Sequence, residues 1–118
     1  LMFIGDGSDL SGKDLSNVDL SEQEINYANF SNANLSGANL SDTDLSDTDF
    51  TNANLENAEL SYSNLTNANF TNANLNNANL NNVILIIQLC QTAIFGTLAV
   101  MKKNEDSRII SDRVSRYP

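Results

Sequence analysis

Asp42, Asp44, Asp47 and Asp49 place four carboxylates within eight residues, as two Asp-x-Asp pairs. A calcium ion uses groups of this kind, gathering six to eight oxygen ligands. The pattern also has a plainer origin. Asp44 and Asp49 occupy a position that Asn29, Asn34, Asn54 and Asn74 fill at other multiples of five. The cluster is therefore expected to be surface composition with no metal bound, and it stands as a candidate acidic contact patch.

Other chemistry is sparse. Nucleophilic catalysis needs a base beside the Ser or Cys, and the chain has no His. Its single cysteine, Cys90, lies in an apolar run where a thiolate is disfavoured, and it excludes an intrachain disulfide. No glycine-rich phosphate loop is present, and paired carboxylates on a convex surface have no cleft to shift their pKa values. The expectation is a protein with no catalytic residue, no cofactor and no metal.

The elements that carry these residues follow one five-residue phrase. From Leu10 to Leu80 every fifth residue is large and apolar, and the set includes Phe30, Leu35, Leu40, Phe50, Leu55, Leu60, Phe70, Leu75 and Leu80. Two places before most of these sits a small residue, as at Ala33, Ala53 and Ala73. Between the two stands Asp, Asn or Glu. A helix wants apolar residues at a period of 3.6 and a half-buried strand at 2, and five divides by neither. One short extended segment plus a turn does satisfy it, with two side chains inward and three outward, repeated as a stacked solenoid. Phe30, Phe50 and Phe70 are twenty apart, so four units close one coil and the cross-section is square. These Phe, Leu and Ala residues form the expected core, with the three rings in one stack.

Residues 8–82 resemble the pentapeptide-repeat family, whose A-(D/N)-(L/F)-x-x phrase runs here through fifteen consecutive copies. The resemblance implies an all-β solenoid, a right-handed quadrilateral β-helix of about four coils. Its implication for function is weaker, since members include DNA-mimicking inhibitors of DNA gyrase, thylakoid and cyanobacterial proteins, and segments fused to membrane helices.

The flanks are read separately. Residues 1–7 are expected to cap the first coil. Lys13 and Gln23 stand where a small residue belongs, so they must snorkel or bulge. Residues 83–101 contain no charge and end at Lys102-Lys103. As a helix they would reach about 28 Å, close to the ~30 Å hydrocarbon core of a bilayer. Three readings compete: a transmembrane helix, a soluble cap or dimerisation helix, and a further degenerate coil in which Val83/Leu85 keep the five-residue phase. The expectation is a hydrophobic α-helix, a membrane anchor or docking helix that presents Val83, Ile84, Leu85, Ile86, Ile87, Leu89, Ile94, Phe95, Leu98 and Val100. Residues 102–118 form a polar, basic tail.

The net charge of −9 is uneven, because the tail carries five basic residues while the body to Met101 carries Lys13 alone. Such a body repels nucleic acid and anionic lipid and attracts basic surfaces, so no direct nucleic-acid binding is expected. The expected function is a non-catalytic structural or interaction protein: a rigid acidic solenoid held at a membrane or membrane complex through its C-terminal helix. Thylakoid placement enters by resemblance only. The alternative is a soluble, cytoplasmic binding module such as a DNA-mimicking gyrase inhibitor. A mimic needs acids along its whole length at phosphate-like spacing, and Leu60 to Met101 has none.

Overall fold

The computed structural model describes residues 4–88 and 109–115. Its repeating element is an extended segment of three residues joined to a β-turn. Most turns are closed by a backbone bond such as Ala33 N–H to the Phe30 carbonyl, at 3.0 Å. The turn requires positive φ at every fifth residue from Gly7 to Asn82, with φ of 54–61° at the non-glycine positions. Asn is the commonest occupant there because its short polar side chain tolerates the left-handed region. Gly37 is needed for a second reason: a Cβ would fall 2.3 Å from Asn17 Oδ1 in the coil above.

Each turn redirects the chain by one side of a square, so segments twenty residues apart lie in parallel contact. Bridges join Asp9–Asn29–Asp49–Asn69 on face one and Asp14–Asn34–Asn54–Asn74 on face two. Face three carries Asp19–Asn39–Glu59–Asn79, and face four Glu24–Asp44–Asn64–Ile84. Within a column every rung is bonded to the one before it: Asn29 donates to the Ser8 carbonyl at 2.8 Å and accepts from Leu10 N–H at 2.8 Å. Backbone groups are thus satisfied between coils, which frees the sequence to use small residues and amides freely. The result is a four-faced β-solenoid.

The square encloses four columns of large side chains. Phe30, Phe50 and Phe70 stack with centroids 5.2 and 4.8 Å apart and ring planes within 7°. That separation follows from the ~4.8 Å spacing of neighbouring strands, which leaves room for one ring per rung. Leu35, Leu55, Leu75, Leu40, Leu60 and Leu80 fill the adjacent columns and are buried, as are Ala33, Ala53 and Ala73. Alanine suits its slot because the same corner also receives the backbone of the turn.

At the N-terminal end Lys13 stays exposed, whereas Gln23 is buried in its inward slot. Its Oε1 accepts the Ile4 N–H at 3.0 Å, and Gly7 N–H bonds to the Asn26 carbonyl at 2.8 Å. Gln23 therefore neither snorkels nor bulges: its amide helps to tie down the chain at Ile4.

The C-terminal expectation is corrected. Val83–Gln88 is a β-strand (β1), not the start of an α-helix. Ile84 donates to the Ser63 carbonyl at 2.9 Å and accepts from Leu65 N–H at 2.7 Å, while Val83 and Leu85 are buried in the core. Two forces favour this outcome. The coil above offers an edge of otherwise unpaired groups, and a run of Val and Ile is stiff at χ1 and prefers a pleated surface. β1 pairs in parallel with β2 (Ile109–Ser115), Val83 beside Ile109, with a register shift between Leu85 and Ile86. Residues 89–101, with Leu89, Ile94, Phe95, Leu98 and Val100, lie outside the described residues. Among the described residues no helix is long and apolar enough to cross a membrane.

Candidate interaction face

Most outward polar side chains serve the solenoid itself. Where an Asp or Asn precedes the large apolar residue, its side chain accepts from the backbone two places on, as Asn29 Oδ1 does from Ser31 N–H at 2.9 Å and Asn69 Oδ1 from Thr71 N–H at 3.0 Å. On face two the amides also bond along the stack: Asn74 donates to Asn54, Asn54 to Asn34, and Asn34 to the Asp14 carboxylate, at 3.2, 3.4 and 3.3 Å. The buried hydroxyls are similarly engaged. Ser63 donates to the Leu60 carbonyl at 2.6 Å, Thr43 to Leu20 at 3.1 Å, and Thr48 to Leu45. A hydroxyl bonded to a carbonyl has no base to activate it.

Asp9, Asp14 and Asp19 open three of the columns. The Ser11, Ser16 and Ser21 hydroxyls, and then the backbone N–H groups of the same serines, hold these carboxyls below the ordinary value of 3.8. The charged form is therefore favoured in the folded state. Its contribution is present above the unfolded pKa and is lost as pH falls through the lower folded one. Urea midpoints should drop as pH is taken below about 3.8, and Asp9→Asn/Asp14→Asn/Asp19→Asn should flatten that drop. An unchanged slope in the triple variant would refute the assignment.

The four candidate aspartates do not converge. Asp49 lies on face one, where its Oδ1 accepts from Thr51 N–H at 2.9 Å. Asp44 lies on face four; it accepts from Ser46 N–H at 3.1 Å and, with the Asn26 amide nitrogen turned toward it, from Asn26 at 3.2 Å. Asp42 and Asp47 occupy the left-handed turn positions on either side of face four, with φ of 54° and 57°. Among the described residues no group of three or more His, Cys, Asp or Glu is placed to hold a metal ion. Cys90 lies outside the described residues.

What the structure does bring together is face four with its two corners. The first rung presents Glu22, Glu24 and Tyr27, and the second presents Asp42, Asp44 and Asp47. The third presents Tyr62, Asn64 and Asn67, and the fourth Asn82 and Ile84. Five carboxylates thus fall in two consecutive rungs, with a tyrosine at one edge above the aspartate rung and another at the opposite edge below it. Tyr27 and Tyr62 are 66% and 62% exposed, and Ile84 is 43% exposed. Among the residues whose exposure is described these are the exposed large hydrophobic side chains: Ile84 lies on face four, Tyr27 on the corner it shares with face one and Tyr62 on the corner it shares with face three. Both tyrosines sit at φ 61°, where a bulky residue is uncommon. Sequence reasoning singled out Asp42, Asp44 and Asp47 but missed Glu22, Glu24 and Ile84 as their neighbours. Carrying the twenty-residue register outward from the phenylalanines to the polar columns would have found them.

A four-faced solenoid of five-residue units with stacked apolar columns inside defines a class of repeat proteins. Residues 14–52 and 48–85 match the family model for pentapeptide repeats, in eight copies, and the chain belongs to that family. It is similar to a pentapeptide repeat protein of the Arabidopsis thaliana thylakoid lumen, with 25% identity and a TM-score of 0.64 over 90% of this chain and 60% of that one. This chain therefore spans less than two thirds of the Arabidopsis protein's length. A pentapeptide repeat protein of Nostoc PCC 7120 is 35% identical over 66% of this chain and 69% of that one, with a TM-score of 0.46. HetL of Nostoc sp. strain PCC 7120, involved in heterocyst differentiation regulation, is 34% identical over 69% of this chain and 40% of its own, with a TM-score of 0.32. The comparison with curated proteins gives no match.

Proposed function

We propose that this protein is a non-catalytic interaction scaffold, a rigid acidic pentapeptide-repeat solenoid that docks on a partner protein through face four. Its four coils wind right-handed, as the resemblance implies. The observation that carries the reading is the placement of Tyr27, Tyr62 and Ile84 on the face and corners that also hold the acidic rungs. Aromatic side chains with a polar tip are the residues enriched at protein interfaces. The buried hydroxyls bonded to carbonyls, and the outward acids on a flat face, support the non-catalytic part. The partner is a protein rather than the lipid core, since the run expected to anchor the chain enters the sheet at Val83–Gln88. A membrane complex remains a fitting host for such a partner, and the likeness to the Arabidopsis thylakoid lumen protein is what supports a thylakoid location. The DNA-mimic alternative is less well supported, because the acids of face four stop after two rungs.

Photo-crosslinking residues placed singly at Tyr62, on the corner between faces three and four, and at Asn57, on the corner between faces two and three, provide the test. Crosslinks to a discrete protein should form from position 62 and not from position 57. Equal labelling from both, or none from 62, would overturn the reading.

A further inference from the structure

Resting on that reading, we infer that the occupant of face four is an arginine-bearing basic segment of a partner protein, followed by an apolar residue that meets Ile84. The order of side chains down the face specifies this occupant. Glu22, Glu24, Asp42, Asp44 and Asp47 lie on two rungs separated by ~4.8 Å, and those two rungs carry no basic residue. Their field draws in a cationic surface and repels nucleic acid and anionic lipid. Arginine fits better than lysine. Its planar fork matches a carboxylate with two parallel hydrogen bonds, and its face stacks on an aromatic ring. Tyr62 follows Asp42 by one rung in one corner column and Tyr27 precedes Asp47 by one rung in the other, so a guanidinium bound to either aspartate has a ring one rung away. Below that rung the charge ends: Asn64 follows, then Ile84, 43% exposed. From the first rung to the fourth, a segment aligned with the stack therefore meets carboxylates and rings before it meets the Ile84 side chain.

The tyrosines make the idea separable from stability. Asn fills eight of the left-handed positions that Tyr27 and Tyr62 share, so Tyr27→Asn and Tyr62→Asn restore the residue that the turn prefers. Folding loses nothing by the change, whereas an arginine loses its ring. Asp42→Asn, Asp44→Asn and Asp47→Asn likewise place a residue the repeat already uses at those positions.

The experiment titrates the full chain with two synthetic peptides of equal charge, one with three arginines and a terminal leucine and one with three lysines and the same leucine. Binding is read by calorimetry and by backbone amide shifts. The arginine peptide should bind more tightly, with shifts confined to residues 22–27, 42–47, 62–64 and 84. Tyr27→Asn/Tyr62→Asn should weaken it roughly tenfold while the melting temperature holds or rises, since an exposed cation–ring contact is worth about 0.5–1 kcal/mol each. The triple Asp→Asn variant should abolish binding, and Asp49→Asn with Glu56→Gln, on faces one and two, should leave it unchanged. Equal affinity for the two peptides, or equal weakening by the face-one and face-two variant, would reduce the attraction to net charge and overturn the inference. If crosslinks from position 62 still capture a protein while neither peptide binds, the scaffold reading survives and this inference fails by itself.

Discussion

Replacing Phe50 by alanine is expected to lower the unfolding free energy by about 3–5 kcal/mol, a large share of the 5–15 kcal/mol typical of a domain. Phe50 is fully buried between two parallel rings, 5.2 Å from Phe30 and 4.8 Å from Phe70. Two terms add: the lost transfer energy of the ring, and the cavity that remains. The second is unusually hard to relieve. Phe50 N–H bonds to the Asn69 carbonyl at 2.7 Å and Phe30 N–H to the Asp49 carbonyl at 2.7 Å, so the coils above and below are held at the rung spacing and cannot close on the gap. Phe50→Leu should cost much less, because leucine fills the same slot in most other units. Urea denaturation followed by circular dichroism is the measurement. A loss under about 1 kcal/mol for Phe50→Ala would mean that the stack relaxes and that the coils are not rigidly spaced.

The second large effect distinguishes strand from helix in the apolar run. Leu85→Ala should destabilise the solenoid by about 2–4 kcal/mol, and Ile84→Ser by no more than ~0.5 kcal/mol. In β1 successive side chains point to opposite sides, so Leu85, 2% exposed, belongs to the core while Ile84 faces outward. A helix over the same residues would not impose that alternation, since residues 84 and 85 would then be neighbours on one broad face. Chemical denaturation of the two variants separates the cases. Equal costs at 84 and 85, or no cost at either, would return the run to a helix that is independent of the solenoid.

Some of this was legible in the residues themselves. A five-residue spacing of Leu and Phe excludes helix and simple strand alike. The twenty-residue recurrence of Phe30, Phe50 and Phe70 specifies the closure of a coil and therefore which rings meet. Such information is local and periodic: each unit repeats the instruction of the one before, and stacking adds no long-range choice. The same regularity let Asp44 be read as a substitute for Asn rather than as a ligand.

Three matters were decided only in the tertiary structure. Whether Val83–Gln88 became strand or helix depended on the unpaired edge at Ser63–Leu65, a partner that no window of the run itself contains. Gln23 looked misplaced until the Ile4 N–H was brought to it from nineteen residues away. The acidic patch, drawn from sequence neighbours as Asp42, Asp44, Asp47 and Asp49, was redrawn when the turn after Asp47 sent Asp49 round to face one and the register stacked Glu22, Glu24, Tyr27, Tyr62 and Ile84 about the other three. The reason is common to all three. Periodicity determines what a unit is and which side chains turn inward, because that is settled within five residues. The composition of an outward face is set by residues twenty and forty apart, and the fate of a chain end by whichever free backbone edge it meets.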